Sequence, residues 1–329
     1  MPFGSLLIVA MSLLRAFVIL AVLTVTLSSG WASAEDAHAV TGQAGAAVHE
    51  AADAHGEHAE HHGLPAAAPR IKIGPFSVTN SMIMTWVVAA FIIVFAQLAT
   101  RNIKAVPQGI QNFWEWLVES LYDFLENIIG SDLVKRTFWF FATIFIFILF
   151  TNWAGLFPGV GTIGWGTPAA DGTLHHISRP IFRGVNADLN MTLAMAMVFF
   201  VCWTFWAIQA NGFGGFILHL FGPKGGTTGA LKVLMIFVFL MVGVLEVVSI
   251  VFRPVSLSFR LYGNIFAGEN MLESMAMMGG PMFGWLLALP FYVMEILVGL
   301  VQALVFMLLT AVFTLLICTH EEGPEHEHH

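Results

Sequence analysis

Between Glu246 and Glu273 the chain reads EVVSIVFRPVSLSFRLYGNIFAGENMLE, an apolar region that nevertheless carries Glu246, Arg253, Arg260, Glu269 and Glu273. An ionisable side chain at the centre of a bilayer costs about 2.5–3.5 kcal/mol even on lenient insertion scales, so charges there need partners or water and mark an ion or substrate path. Helical spacing sorts them by face. Glu246, Arg253 and Arg260 recur at every seventh position and share one side with a slow drift, with Asn264 one turn further along it. Glu269 points the other way, so one helix would show a cation to one neighbour and a carboxylate to another. The last apolar segment adds Glu295 and Gln302. In an antiparallel helix pair, residues at one level have nearly constant index sums. Arg260 then falls level with Gln302 and Glu269 level with Glu295, in two polar layers about 10–14 Å apart along the axis. Helix-to-helix glue in membranes favours small polar groups such as Ser and Asn. Arginine and glutamate in matched layers fit an ion path better.

Composition sets the surroundings of this pair. Of 329 residues 57% are hydrophobic and 10% charged, with 30 Phe and 16 Met, which predicts an all-α polytopic membrane protein. About five membrane-crossing helices and one amphipathic interfacial helix are expected, with the last two crossings long and tilted. Ser81 to Thr100 is long enough to cross. In Pro107 to Gly130 the apolar stripe Phe113, Trp114, Leu117, Leu121, Phe124, Leu125 and Ile128 is set against Glu115, Glu119, Asp123 and Glu126. That pattern predicts an amphipathic helix lying on the membrane or against a partner. Thr137 to Phe157 crosses next, then a Gly/Pro-rich connector over 158–188 holds His175, His176, Arg179 and Arg183. Leu189 to Ala210 crosses again, followed by a Gly-rich turn to Gly229. Leu231 to Met275 exceeds one perpendicular span and should tilt, bending at Pro254 and ending at Gly279-Gly280-Pro281. Trp285 to Cys318 is the last, similarly long helix.

The ends read differently. Residues 1–34 have a secretory signal's pattern, with Arg15, an apolar run over 16–27 and Ala32-Ser33-Ala34; a start at Met11 would make a tidier one. Cleavage there would place the new N-terminus outside. Residues 35–69 form an Ala-rich, acidic, His-studded external arm with no apolar face, and residues 319–329 an acidic, His-rich tail. The membrane domain is then 70–318. Five crossings from an external N-terminus leave the C-terminus cytoplasmic. Arg101, Lys104, Lys135, Arg136, Lys224 and Lys232 then fall inside, a modest positive-inside bias. The net charge of −8 argues against nucleic-acid binding. Cys202 and Cys318 lie in apolar spans and read as small buried hydrophobes. Gly222 to Thr228 has phosphate-loop residue types without the required spacing. No ATP-hydrolytic site, cofactor or metal quartet is expected, and the methionines near Met271 to Met282 read as adaptable filler.

The segment PVSLSFRLYGNIFAGE, Pro254 to Glu269, resembles the signature of subunit a of F-type ATP synthases, the membrane-sector stator of the proton channel, and VQALVFMLLTAVF, Val301 to Phe313, resembles that family's last helix. The resemblance runs from about Ser81 to Leu316, weakly at first and strongly after Leu231. It implies that Arg260 is the stator arginine facing a rotor carboxylate and separating two proton half-channels. Asn264, Glu269 and Gln302 would be polar lining, Glu246 a further acidic residue, and Glu269 with Glu295 the external-side relay. Many relatives carry His where this chain has Glu295, which changes the chemistry of that step. The implied partners are a rotor ring of small hairpin subunits, peripheral-stalk subunits and, indirectly, a soluble ATPase head, in a bacterial inner membrane. A proton-coupled secondary transporter is the alternative; it would show an internal repeat with paired broken helices, and none is visible in the sequence.

Overall fold

A computed structural model describes residues 70–73, 76–104, 106–157, 159–160, 164–165, 179–180, 182–221 and 230–318. The expectations for residues 1–69, 222–229 and 319–329 lie outside the described residues. The described residues open with a short antiparallel hairpin, β1 (Arg70–Ile73) and β2 (Phe76–Thr79), which pairs Arg70 with Thr79. Six helices follow: α1 (Asn80–Thr100), α2 (Ile110–Ile129), α3 (Ser131–Gly155), α4 (Leu189–Phe221), α5 (Ala230–Met278) and α6 (Gly280–Cys318). Within the connector between α3 and α4, two-residue strands β3 (Gly164–Trp165) and β4 (Arg179–Pro180) pair, and Val185–Ala187 makes one 3-10 turn. The fold class is all-α and polytopic. Five of the helices, all but α2, are long and apolar enough to cross a membrane.

Local chemistry explains the boundaries. Thr79, in extended conformation, accepts the Met82 amide at 3.3 Å and so caps α1, filling one of the donors that every helix start leaves open. The buried stripe of α2 is Trp114, Val118, Leu121, Leu125 and Ile129, recurring at three- and four-residue intervals as a single helix face must. It is narrower than the stripe expected from the sequence, since Phe113 and Phe124 lie exposed. The helix rests on α1, α3 and α6, and those supports reach only one line of its side chains. Gly130 alone separates α2 from α3, so α3 starts at Ser131, six residues before the sequence suggested.

The expected Gly-rich turn after Ala210 is instead a kink. Gly212 sits at φ 69° and ψ 162° inside α4, and the helix resumes to Phe221. A glycine takes that backbone conformation without steric cost, and the apolar residues beyond it restore a helical pattern. α5 runs 49 residues with Pro254 inside it, and α6 runs 39 with Pro290 inside it. At about 1.5 Å per residue, α5 is more than twice the length of a ~30 Å hydrocarbon core. The spans differ in cover: 72% of the apolar window of α3 is buried, against 17% of that of α5. α3 is the central post, and α5 is a wall with one side open.

Candidate functional site

Polar side chains gather at the end of the bundle where α3 and α5 finish and α1, α4 and α6 begin. On α3, Thr151 and Asn152 are buried among aromatic and aliphatic residues. Asn152 Nδ2 donates to the Gly299 carbonyl of α6 at 2.9 Å, and the neighbouring Trp153 indole donates to the Ile296 carbonyl at 3.1 Å. Asn186, on the 3-10 turn, donates to Thr151 Oγ1 at 2.9 Å and Asn152 Oδ1 at 2.6 Å. Asp188 accepts from Ser81 Oγ of α1 at 2.5 Å and from the Asn190 amide at 3.0 Å. The connector is thus tied to α1, α3 and α4 before it meets α5. Buried polar groups demand such partners.

Two glutamates complete this end. The carboxyl of Glu295, on α6, lies directly against Gly268 of α5, where a side chain on residue 268 would have to stand. Glu269, the next residue, turns its Oε1 onto Gly184 of the connector and beside Gly155 at the end of α3. Glycine at all three places leaves room for a carboxyl to touch backbone. Glu269 Oε2 and Glu295 Oε1 are both buried and have no hydrogen-bond partner among the described residues. An unpaired buried carboxyl oxygen is costly. The glutamates therefore stand at one level on facing helices, as the index sums require.

Arg260 lies elsewhere. It is exposed, as is Asn264 one turn on, on the open side of α5, while Gln302 on α6 is half-buried. Among the described residues Arg260 makes no ion pair or hydrogen bond. Arg253 behaves differently: its guanidinium lies 4.4 Å from the Phe313 ring centre and 5.9 Å from that of Trp203, a cation–aromatic arrangement between α4 and α6. Glu246, half-buried two turns earlier, is near enough to act on the Arg253 charge. Arg253 and Arg260 therefore do not present to the same neighbour, as their seven-residue spacing suggested, because the rings of Trp203 and Phe313 draw Arg253 inward. Sequence reasoning named both glutamates of the site and placed Arg183 only in the connector, but passed over Asn186, Asp188, Thr151 and Asn152. The available signal was polar residues at the very ends of apolar runs. No cluster able to hold a metal ion occurs among the described residues.

Residues 82–314 match the ATP synthase A chain family. This chain belongs to that family. It is similar to ATP synthase subunit a of Gloeobacter violaceus, 32% identical over 241 residues that cover 73% of this chain and 84% of the relative. The corresponding protein of Moorella thermoacetica is 30% identical over 241 residues, 73% of this chain and 91% of that one. That of Trichlorobacter lovleyi is 32% identical over 235 residues, 71% and 85% respectively. Family membership makes the chain a multi-pass membrane component of the F-type ATP synthase, a proton-conducting stator subunit that works within a larger complex. Both polar layers, Arg260 to Gln302 and Glu269 to Glu295, lie inside the matched region.

Proposed function

We propose that the two polar layers are the two functional parts of the conduction path. Protons enter from the outside through Glu269 and Glu295, pass to a carboxylate on a rotating ring of small hairpin subunits, and leave by a second half-channel on the cytoplasmic side after nearly a full turn. Glu246 belongs to that second path, and Asn264 and Gln302 line the route beside Arg260. Arginine stays charged at any working pH. Arg260 therefore attracts the ionised ring carboxylate and prevents protons from crossing directly between half-channels. Each proton moving through 100 mV releases about 2.3 kcal/mol, which rotation delivers to a soluble ATPase head. The polar end of the bundle faces outward in this reading, with the N-terminus external, the C-terminus cytoplasmic and peripheral-stalk subunits holding the chain still.

The observation that carries the proposal is the state of Arg260. A guanidinium on an apolar span, exposed on the least covered helix and without an anion partner among the described residues, is suited to receive an anion from another molecule. Arg260→Ala should abolish ATP-driven proton pumping in membrane vesicles while the complex still assembles. Arg260→Lys should be severely impaired, because a lysine is a flexible point charge that loses its proton readily when desolvated. Wild-type pumping by Arg260→Ala would sink the assignment.

A further inference from the structure

The path just described makes no use of Arg183, yet this residue is among the most enclosed charges in the chain, 2% exposed. Arginines are almost never buried to that degree unless paired. Its Nη2 donates to the Ala187 carbonyl at 3.1 Å, while Nε and Nη1 are buried with no hydrogen-bond partner among the described residues. The next residue, Gly184, is the one whose backbone touches Glu269 Oε1. Glu269 Oε2 is likewise buried and unpartnered. Among the described residues, Arg183 from the connector, Glu295 from α6 and Glu273 from its own helix lie near enough to act on the Glu269 charge. One cation therefore stands against two acidic neighbours, and α3 contributes only the neutral Thr151, Asn152 and Gly155 to this corner.

We propose that Arg183 is the fixed counter-cation of Glu269, a positioning residue that balances the acidic groups around it and lets the carboxyl cycle between its two protonation states. The inference rests on reading Glu269 as part of the proton relay. Its geometry is independent of that reading. Arg183 is held by the Ala187 carbonyl, and the same connector is fastened by Asn186 to α3 and by Asp188 to α1. The guanidinium is thus held by one hydrogen bond within a segment that is itself fastened to α1 and α3, which are separate from α5. Gly184 and Gly155 keep the space through which the carboxyl reaches the connector. Because a guanidinium does not titrate at working pH, it supplies a constant field while Glu269 and Glu295 exchange protons.

The test uses the whole ATP synthase in membrane vesicles, with ATP-driven acidification, passive proton flux and the yield of assembled complex measured together. Glu269→Gln examines the underlying relay: flux should fall about tenfold or more, and wild-type flux would overturn the relay reading itself. Given that loss, Arg183→Gln should cut flux severalfold and displace its pH profile by about one unit. Arg183→Lys should fall between Arg183→Gln and the parent in flux and profile, because a lysine still offers a cation at the site but loses its proton more readily when desolvated. In the Glu269→Gln background, adding Arg183→Gln should raise the yield of complex or leave it unchanged, since the buried cation that lost its counter-charge is then gone. Two results would overturn the inference while sparing the relay. One is parental flux and profile in Arg183→Gln; the other is an equal loss of complex from Arg183→Gln in both backgrounds, which would mark Arg183 as a purely structural anchor.

Discussion

A methyl group on residue 268 would occupy the place where the Glu295 carboxyl now lies. Gly268→Ala must therefore expel that carboxyl or push α5 away from α6, and overpacking of this kind costs about 1–3 kcal/mol. Proton flux should fall with Gly268→Ala even though neither glutamate is altered, which vesicle acidification reads directly. Substitution at Glu295 separates geometry from chemistry at the same spot. Glu295→His should retain more flux than Glu295→Gln, because an imidazole can still pass protons and an amide cannot; equal flux in the two would make Glu295 a spacer. The glutamates themselves were legible because carboxyls in apolar runs are conspicuous. Their seats were not, since Gly155, Gly184 and Gly268 look like any other glycine until the chains that approach them are known. Arg183 escaped for a related reason: a charge in a Gly/Pro-rich connector reads as solvated, and only the fold buries it.

Among the elements, α5 and α6 show how far index arithmetic carries. The contact of Gly268 with Glu295 and that of Arg253 with Phe313 lie on either side of the Arg260–Gln302 level, and a straight antiparallel pair puts that level between them. The double variant Arg260→Gln with Gln302→Arg should pump more than Arg260→Gln alone, since the cation then returns to the same height from the other helix. A double as inactive as the single in ATP-driven acidification would remove that pairing. The register was readable because α5 and α6 are joined by a tight turn at Gly279. The α4 kink and the β1–β2 hairpin were not: NGFGG reads as a turn whether or not the helix resumes after it, and two four-residue strands have too little length to show a period.

For the whole molecule, the five crossings were visible in hydropathy alone, whereas the direction in which they thread the membrane depends on the segment before Arg70. Removal of residues 1–34 would leave a mature chain starting near Glu35 on the outside. Sequencing the N-terminus of purified protein decides this, and a first residue of Met1 or Met11 would remove the argument for the external start. A different property of the molecule follows from the open side of α5, where Leu245, Val248, Val251, Phe252 and Phe259 stand exposed. Aliphatic surface in a bilayer has no preference for protein over lipid tails, because no hydrophobic force distinguishes them. In the rotary reading proposed above, a ring turning past this wall would exchange one greasy contact for another of nearly equal energy at every step. Ser249, Ser256 and Asn264 interrupt the wall with small neutral groups, and Arg260 is the one fully exposed charge among the described residues of this helix, so in that reading the wall would act as a bearing with a single detent, smooth by composition and indexed by one charge.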